Sequence, residues 1–88
     1  MEGGMQMDNG IEVYTSSGWG PCHMVKVYLS KKNIPFSEYN ISTDRSGLKR
    51  LVSMGFRTTP VTVVGEEKIV GYSPAKLDEA LQASGYTL

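Results

Sequence analysis

The chain has 88 residues, 40% hydrophobic and 20% charged, with nine basic residues against nine acidic ones. That describes one small domain with a modest core, and it excludes a two-lobed enzyme and general disorder. No apolar run approaches the ~20 residues of a membrane span, and the balanced, interspersed charge offers no footprint for nucleic acid or anionic lipid.

Residues 1–10 are rich in Gly and Met without a period and are expected to be a flexible leader ahead of a domain over 11–88. The leader has no basic group and no apolar stretch, so it does not resemble a signal peptide, and a cytoplasmic location is expected. Ile11 to Thr15 alternates apolar and polar residues, as a strand does. Ser16 to Gly18 is a loop, and Pro21 suits a first helical turn, where its missing N–H would have had no partner. From Cys22 to Lys32, Val25, Tyr28 and Leu29 recur at helical spacing, and Asn33 suits a left-handed stop. Pro35 to Ile41 reads as a second strand.

Thr43 or Asp44 can cap a second helix. Leu48, Leu51 and Val52 are its expected buried stripe, and Arg45, Lys49 and Arg50 its wet face. Gly55 ends it. The β-branched run Val61 to Val64 predicts a strand buried on both faces. A turn at Gly65 to Glu67 and a return strand from Lys68 to Val70 complete a hairpin. Ser73-Pro74 then opens a third helix, with Leu77, Ala80, Leu81 and Ser84 on one face and Gly85 as the stop. The order is β-α-β-α-β-β-α, with the first two strands parallel and the last two antiparallel.

Cys22 is the single cysteine and His23 the single histidine. One of each provides neither a disulfide framework nor a structural zinc site, and no metal or organic cofactor is expected. A lone cysteine on the inward side of a first helical turn is, on general grounds, a small buried hydrophobe. A helix start lowers a thiol pKa and burial raises it, so the sequence leaves reactivity open. His23 has an ordinary reading as a surface residue.

The element order resembles the thioredoxin fold, and within it the glutaredoxin branch, most of all the NrdH-type redoxins. The residues that carry the resemblance are Val13-Tyr14-Thr15, Cys22 to Lys26, Gly55 to Val61 and Gly71-Tyr72-Ser73-Pro74. The resemblance implies a four-stranded mixed sheet of order 2-1-3-4 with three helices on both faces. It also implies thiol–disulfide electron transfer to a disulfide-containing protein. The family motif is Cys-x-x-Cys; here it reads Trp19-Gly20-Pro21-Cys22. By that register Trp19 stands at the nucleophile position and Cys22 is the resolving thiol. Gly20 and Pro21 form the spacer. The resemblance further implies that Thr59-Pro60 carries a cis bond and presents Thr59 as a backbone docking platform; the plain alternative is a proline that merely starts a strand.

Glutathione-using members carry Gly-Gly followed by Asp before the last helix. Gly71-Tyr72 with Pro74 departs from that pattern. The resemblance therefore favours thioredoxin reductase over glutathione as electron source. Ser16 and Ser17 stand where a basic residue often precedes the motif. A monomer is expected.

Trp has none of the chemistry of sulfur, and three readings of position 19 stay open. The natural residue is Cys or selenocysteine, since the Trp codon differs by one base from Cys codons and from UGA. Alternatively, the chain is a redox-inactive binding module with Trp19 as an aromatic anchor. In the third reading, Cys22 acts alone through mixed disulfides.

Overall fold

The structure, a computed structural model, describes residues 11–18 and 20–86. The expected leader at 1–10, Trp19 and residues 87–88 lie outside the described residues. The elements are β1 (Glu12–Thr15), α1 (Gly20–Lys31), β2 (Ser37–Asn40), α2 (Arg45–Ser53), β3 (Val61–Val64), β4 (Glu67–Val70) and α3 (Pro74–Ala83).

The strands form one sheet of order β2-β1-β3-β4. β1 runs parallel to β2, and β3 is antiparallel to both β1 and β4. Val13 on β1 therefore faces Glu38 on one side and Thr62 on the other. Successive residues of a strand point to opposite faces, so each face of the sheet gathers its own layer. Val13 and Val64 join Val25 and Leu29 of α1 and Leu77, Ala80 and Leu81 of α3. Tyr14, Val61 and Val63 join Leu51 of α2 on the other side. All four residues of β3 are buried, as its unbroken β-branched run predicts.

Local signals fix the ends. Asp44, rather than Thr43, caps α2: its Oδ1 accepts the Gly47 N–H at 3.0 Å. Asn33 takes a left-handed conformation after α1, with φ +57°. Pro74 opens α3 behind Ser73, although the Ser73 side chain makes no capping bond.

Helix α1 begins at Gly20, with Pro21 in its first turn as expected. Three expectations need correction. The β2 ladder covers Ser37–Asn40 rather than 35–41, although the Ser37 and Ile41 N–H groups still bond Ile11 and Thr15 carbonyls at 3.0 and 2.8 Å. Ser84 is exposed and is the C-cap of α3 rather than part of its buried face.

The third correction concerns α2. Leu51 is buried, but Leu48 and Val52 are each 40% exposed. The helix rests instead on Gly47, Leu51 and the following Met54, which follow one another at the four- and three-residue spacing of a helix face. Gly47 is the physical reason. A Cβ there would lie 3.0 Å from the Tyr39 Cβ, so the helix sits down where a side chain is missing, and this rotation turns Leu48 outward.

Candidate active site

The site forms where β1 runs out and α1 begins. Gly18 makes the bend with a positive φ of 74°, a conformation that suits glycine. The loop is fastened at several points. Asn40 Nδ2 donates to Ser17 Oγ at 3.1 Å, and the Ser17 N–H donates to Ser42 Oγ at 3.1 Å. Ser16 and Thr59 share a hydroxyl–hydroxyl hydrogen bond of 2.6 Å, which ties the loop to the segment before β3. The Thr59–Pro60 peptide is cis. The Pro60 carbonyl accepts the Gly71 N–H at 2.8 Å, so the run leading to α3 is moored to the same place. Gly71 has φ +79°, and Tyr72 beyond it is 37% exposed.

Cys22 lies in the first turn of α1 and is 2% exposed. No acidic residue stands in that turn, so the positive end of the helix dipole is unopposed within the element. Cys22 lines a groove of about 530 Å³ together with Gly18, Gly20, Lys26, Glu38 and Asn40. A second groove, about 410 Å³, runs past Ile41, Arg57, Thr58 and Thr59. Both are bordered by Ser16, Ser17 and Gly18, the run that leads in sequence to position 19. His23 is exposed, in agreement with its ordinary surface reading.

One charged group has a defined environment in the first groove. Glu38 Oε2 accepts from Thr15 Oγ1 at 2.8 Å and from Lys26 Nζ at 3.0 Å. Burial pushes the Glu38 carboxyl up, but the Thr15 and Lys26 hydrogen bonds and the lysine charge outweigh it and hold the group below its ordinary value. Lys26 is one turn along α1 from Cys22, and Glu38 arrives through the β1–β2 register. No group of His, Cys, Asp and Glu suited to a metal ion occurs among the described residues.

The structure thus brings Gly20 and Cys22 into one groove and Thr59 into the adjoining one. Pro60 is linked through Gly71. Trp19 lies outside the described residues, and Pro21 lines neither groove. Tyr72 lines neither of these grooves; it follows Gly71 and lies edge-on to Tyr28 with ring centroids 6.4 Å apart. Sequence reading missed Lys26, Glu38, Asn40 and Arg57 as groove residues. The alternation in β2 hinted at Glu38 and Asn40 on a common face, but only the strand register places them beside α1.

A mixed sheet of this order, with a Pro-Cys pair opening the first helix, defines a thioredoxin-like protein. Solved structures agree. The thioredoxin-like protein BC3987 superposes with a TM-score of 0.76 at 32% identity, over 81% of this chain and 99% of that one. NrdH-redoxin from Escherichia coli gives 0.71 at 25% identity, over 78% and 91%.

The family is narrower than the fold. The glutaredoxin family model matches residues 11–69. The glutaredoxin-like protein NrdH of Lactococcus lactis subsp. cremoris is 33% identical over 67 residues, which is 76% of this chain and 93% of that protein. The chain belongs to the glutaredoxin family, as a glutaredoxin-like protein of the NrdH type.

Proposed function

We propose that this chain is a thiol–disulfide electron-transfer protein whose position 19 is the nucleophile position and whose Cys22 is the resolving thiol. The natural residue at 19 is then Cys or selenocysteine, and with Trp19 the chain has little or no disulfide reductase activity. The observation that carries this reading is the burial of Cys22, 2% exposed in the first turn of α1. A thiol held there suits intramolecular attack on a neighbour at position 19 and not attack on a bulky partner. The same burial argues against Cys22 acting alone.

The chemistry balances as follows. A thiolate or selenolate at 19 attacks the partner disulfide, forms a mixed disulfide and releases one partner thiolate. Cys22 then loses its proton and attacks the sulfur or selenium at 19. The second partner thiolate leaves, and the electron pair of the 19–22 dithiol has passed to the partner. Gly20 and Pro21 space the two positions. Thr59 and Pro60 offer backbone to an extended partner strand, with Gly71 and Tyr72 bordering it. Thioredoxin reductase is the proposed electron source in preference to glutathione. Support comes from Tyr72 and Pro74 replacing the small and acidic residues of a glutathione site. The E. coli NrdH-redoxin, described as having a thioredoxin-like activity profile, supports the same choice. The reading places the protein in the cytoplasm as a monomer.

Trp19→Cys is the test. The chain with Trp19 is expected to leave insulin disulfides intact, and the Trp19→Cys variant to reduce them with dithiothreitol or NADPH and thioredoxin reductase. Cys22→Ser in that background is expected to accumulate the mixed disulfide. An inert Trp19→Cys variant, or an active parent chain, overturns the proposal. The codon at position 19 provides a second test: a Cys codon or a recoded UGA agrees with it.

The alternative is a redox-inactive binding module. It draws support from the Ser16–Thr59 and Gly71–Pro60 bonds, which hold the docking platform without any sulfur. It predicts peptide affinity that survives Cys22→Ala and falls with Trp19→Ala.

A further inference from the structure

Next to the site, one face of α1 combines exposed apolar surface with uncompensated positive charge. Met24, Val27, Tyr28, Lys31, Lys32 and Tyr72 line a groove of about 370 Å³. Met24 is 45% exposed and Tyr72 37%, two of the few large apolar side chains left open to solvent among the described residues. The Lys32 ammonium lies 5.1 Å from the centre of the Tyr28 ring. No carboxylate lines the groove among the described residues. Helix α1 carries Lys26 and Lys31 and no acid along its whole length, in a chain whose charges otherwise balance nine to nine. Lys26 is neutralised by Glu38; among the described residues no carboxylate lines the groove beside Lys31 and Lys32.

We propose that this groove docks an acidic, apolar segment of the disulfide-bearing partner protein, a few residues from the disulfide itself. The inference rests on the redox reading of position 19 and deepens it by naming the chemistry of the partner. Charge complementarity selects the occupant: carboxylates against Lys31 and Lys32, and an aliphatic side chain against Met24 and Tyr72. The geometry sets the spacing. Along the helix Tyr28 lies about 9 Å, and Lys31 about 13 Å, beyond Cys22 at 1.5 Å per residue. An extended peptide covers that in roughly three or four residues. Tyr72 joins the groove to the docking platform, because the preceding Gly71 is bonded to the Pro60 carbonyl. A partner strand on Thr59 thus has a continuous path to α1.

The test uses the full-length Trp19→Cys variant and two synthetic disulfide peptides. One carries Glu-Leu-Glu beginning three residues from the disulfide, and the other carries Lys-Ser-Lys there. The small disulfide of hydroxyethyl groups is the control. The acidic peptide is expected to be reduced with a kcat/KM roughly three- to tenfold above that of the basic one, the range that a few exposed ion pairs supply. Lys31→Glu with Lys32→Glu is expected to abolish or invert the preference and leave the small disulfide unaffected. Added salt at about 0.5 M is expected to shrink the preference by screening.

Equal rates for the two peptides, with the small disulfide still reduced, overturn the docking inference and leave the redox reading standing. Failure to reduce the small disulfide overturns the redox reading itself. A monomer–dimer equilibrium abolished by the two lysine substitutions assigns the face to a second copy and also overturns the inference.

Discussion

The two faces of the sheet are held by different physics. On the α1/α3 side, ten buried residues form a nearly all-aliphatic layer in which Val13, Val25, Leu29, Leu77 and Leu81 have no exposed surface. The α2 side has four buried residues and supplements them with polar and aromatic contacts. Tyr14 and Tyr39 stack with centroids 5.1 Å apart, and Arg50 lies 5.0 Å from the Tyr39 ring. Glu12 joins the two, accepting from the Tyr14 hydroxyl at 2.8 Å and from Arg50 at 3.1 Å. Burial first, and then this bond to Glu12, raise the Tyr14 phenol well above its ordinary value, so it stays a neutral donor. The site begins on the aliphatic side, at the head of α1. A helix that must present Cys22 reproducibly is anchored mainly by buried aliphatic area, with the Lys26–Glu38 ion pair beside it, whereas the peripheral α2 relies more on contacts that salt and pH can weaken.

The largest expected effects break the aliphatic layer. Leu77→Ala is expected to destabilise the domain by about 3–5 kcal/mol, transfer loss plus cavity, in urea unfolding. Leu51→Ala, whose surroundings are fewer and able to relax, should cost about 2–3 kcal/mol. An equal or reversed order would show that the two faces share the load evenly. Gly47→Ala tests how α2 is seated. Alanine is the better helix former by about 1 kcal/mol, but its Cβ meets the Tyr39 Cβ at 3.0 Å. Displacing the helix should outweigh propensity, for a net loss of about 1 kcal/mol; a gain in Tm would show that α2 slides freely.

The electrostatic contrasts are smaller. Glu38 has a folded-state pKa below its unfolded one, so its contribution is fully present above the unfolded value. That contribution is lost as pH falls through the lower folded value. With its side chain about one-third exposed, the effect should stay under ~1 kcal/mol. Glu38→Gln should flatten the acid limb of stability against pH by that amount. Arg50→Ala removes a half-exposed ion pair and a ring contact and should cost about 0.5 kcal/mol, less in high salt. An Arg50→Ala loss that does not shrink with salt would place the weight on ring packing instead of charge.

Much of the architecture was legible because its signals are local. Proline in the first turns of α1 and α3, Asp44 as a cap, and Asn33, Gly55 and Gly85 as left-handed stops act within a few residues of themselves. The β-branched run of β3 announced its own burial. The place of Cys22 in the first turn of α1 likewise followed from sequence order. That Cys22 and Glu38 share a groove was not legible. It depends on β1 and β2 lying parallel with Val13 opposite Glu38, and no spacing between residues 22 and 38 expresses a register.

The sequence by itself therefore determined the order of the elements, several of their stops and the place of Pro21-Cys22 in the first turn of α1. Each of these rests on backbone preferences that neighbouring residues set. Only the tertiary structure decided which side of α2 meets the sheet, which side chains share a groove with Cys22, and that Tyr72 folds back toward Tyr28 of α1. Those outcomes depend on how far elements distant in sequence can approach. At Gly47 a single absent Cβ permitted the approach that left Leu48 and Val52 in solvent.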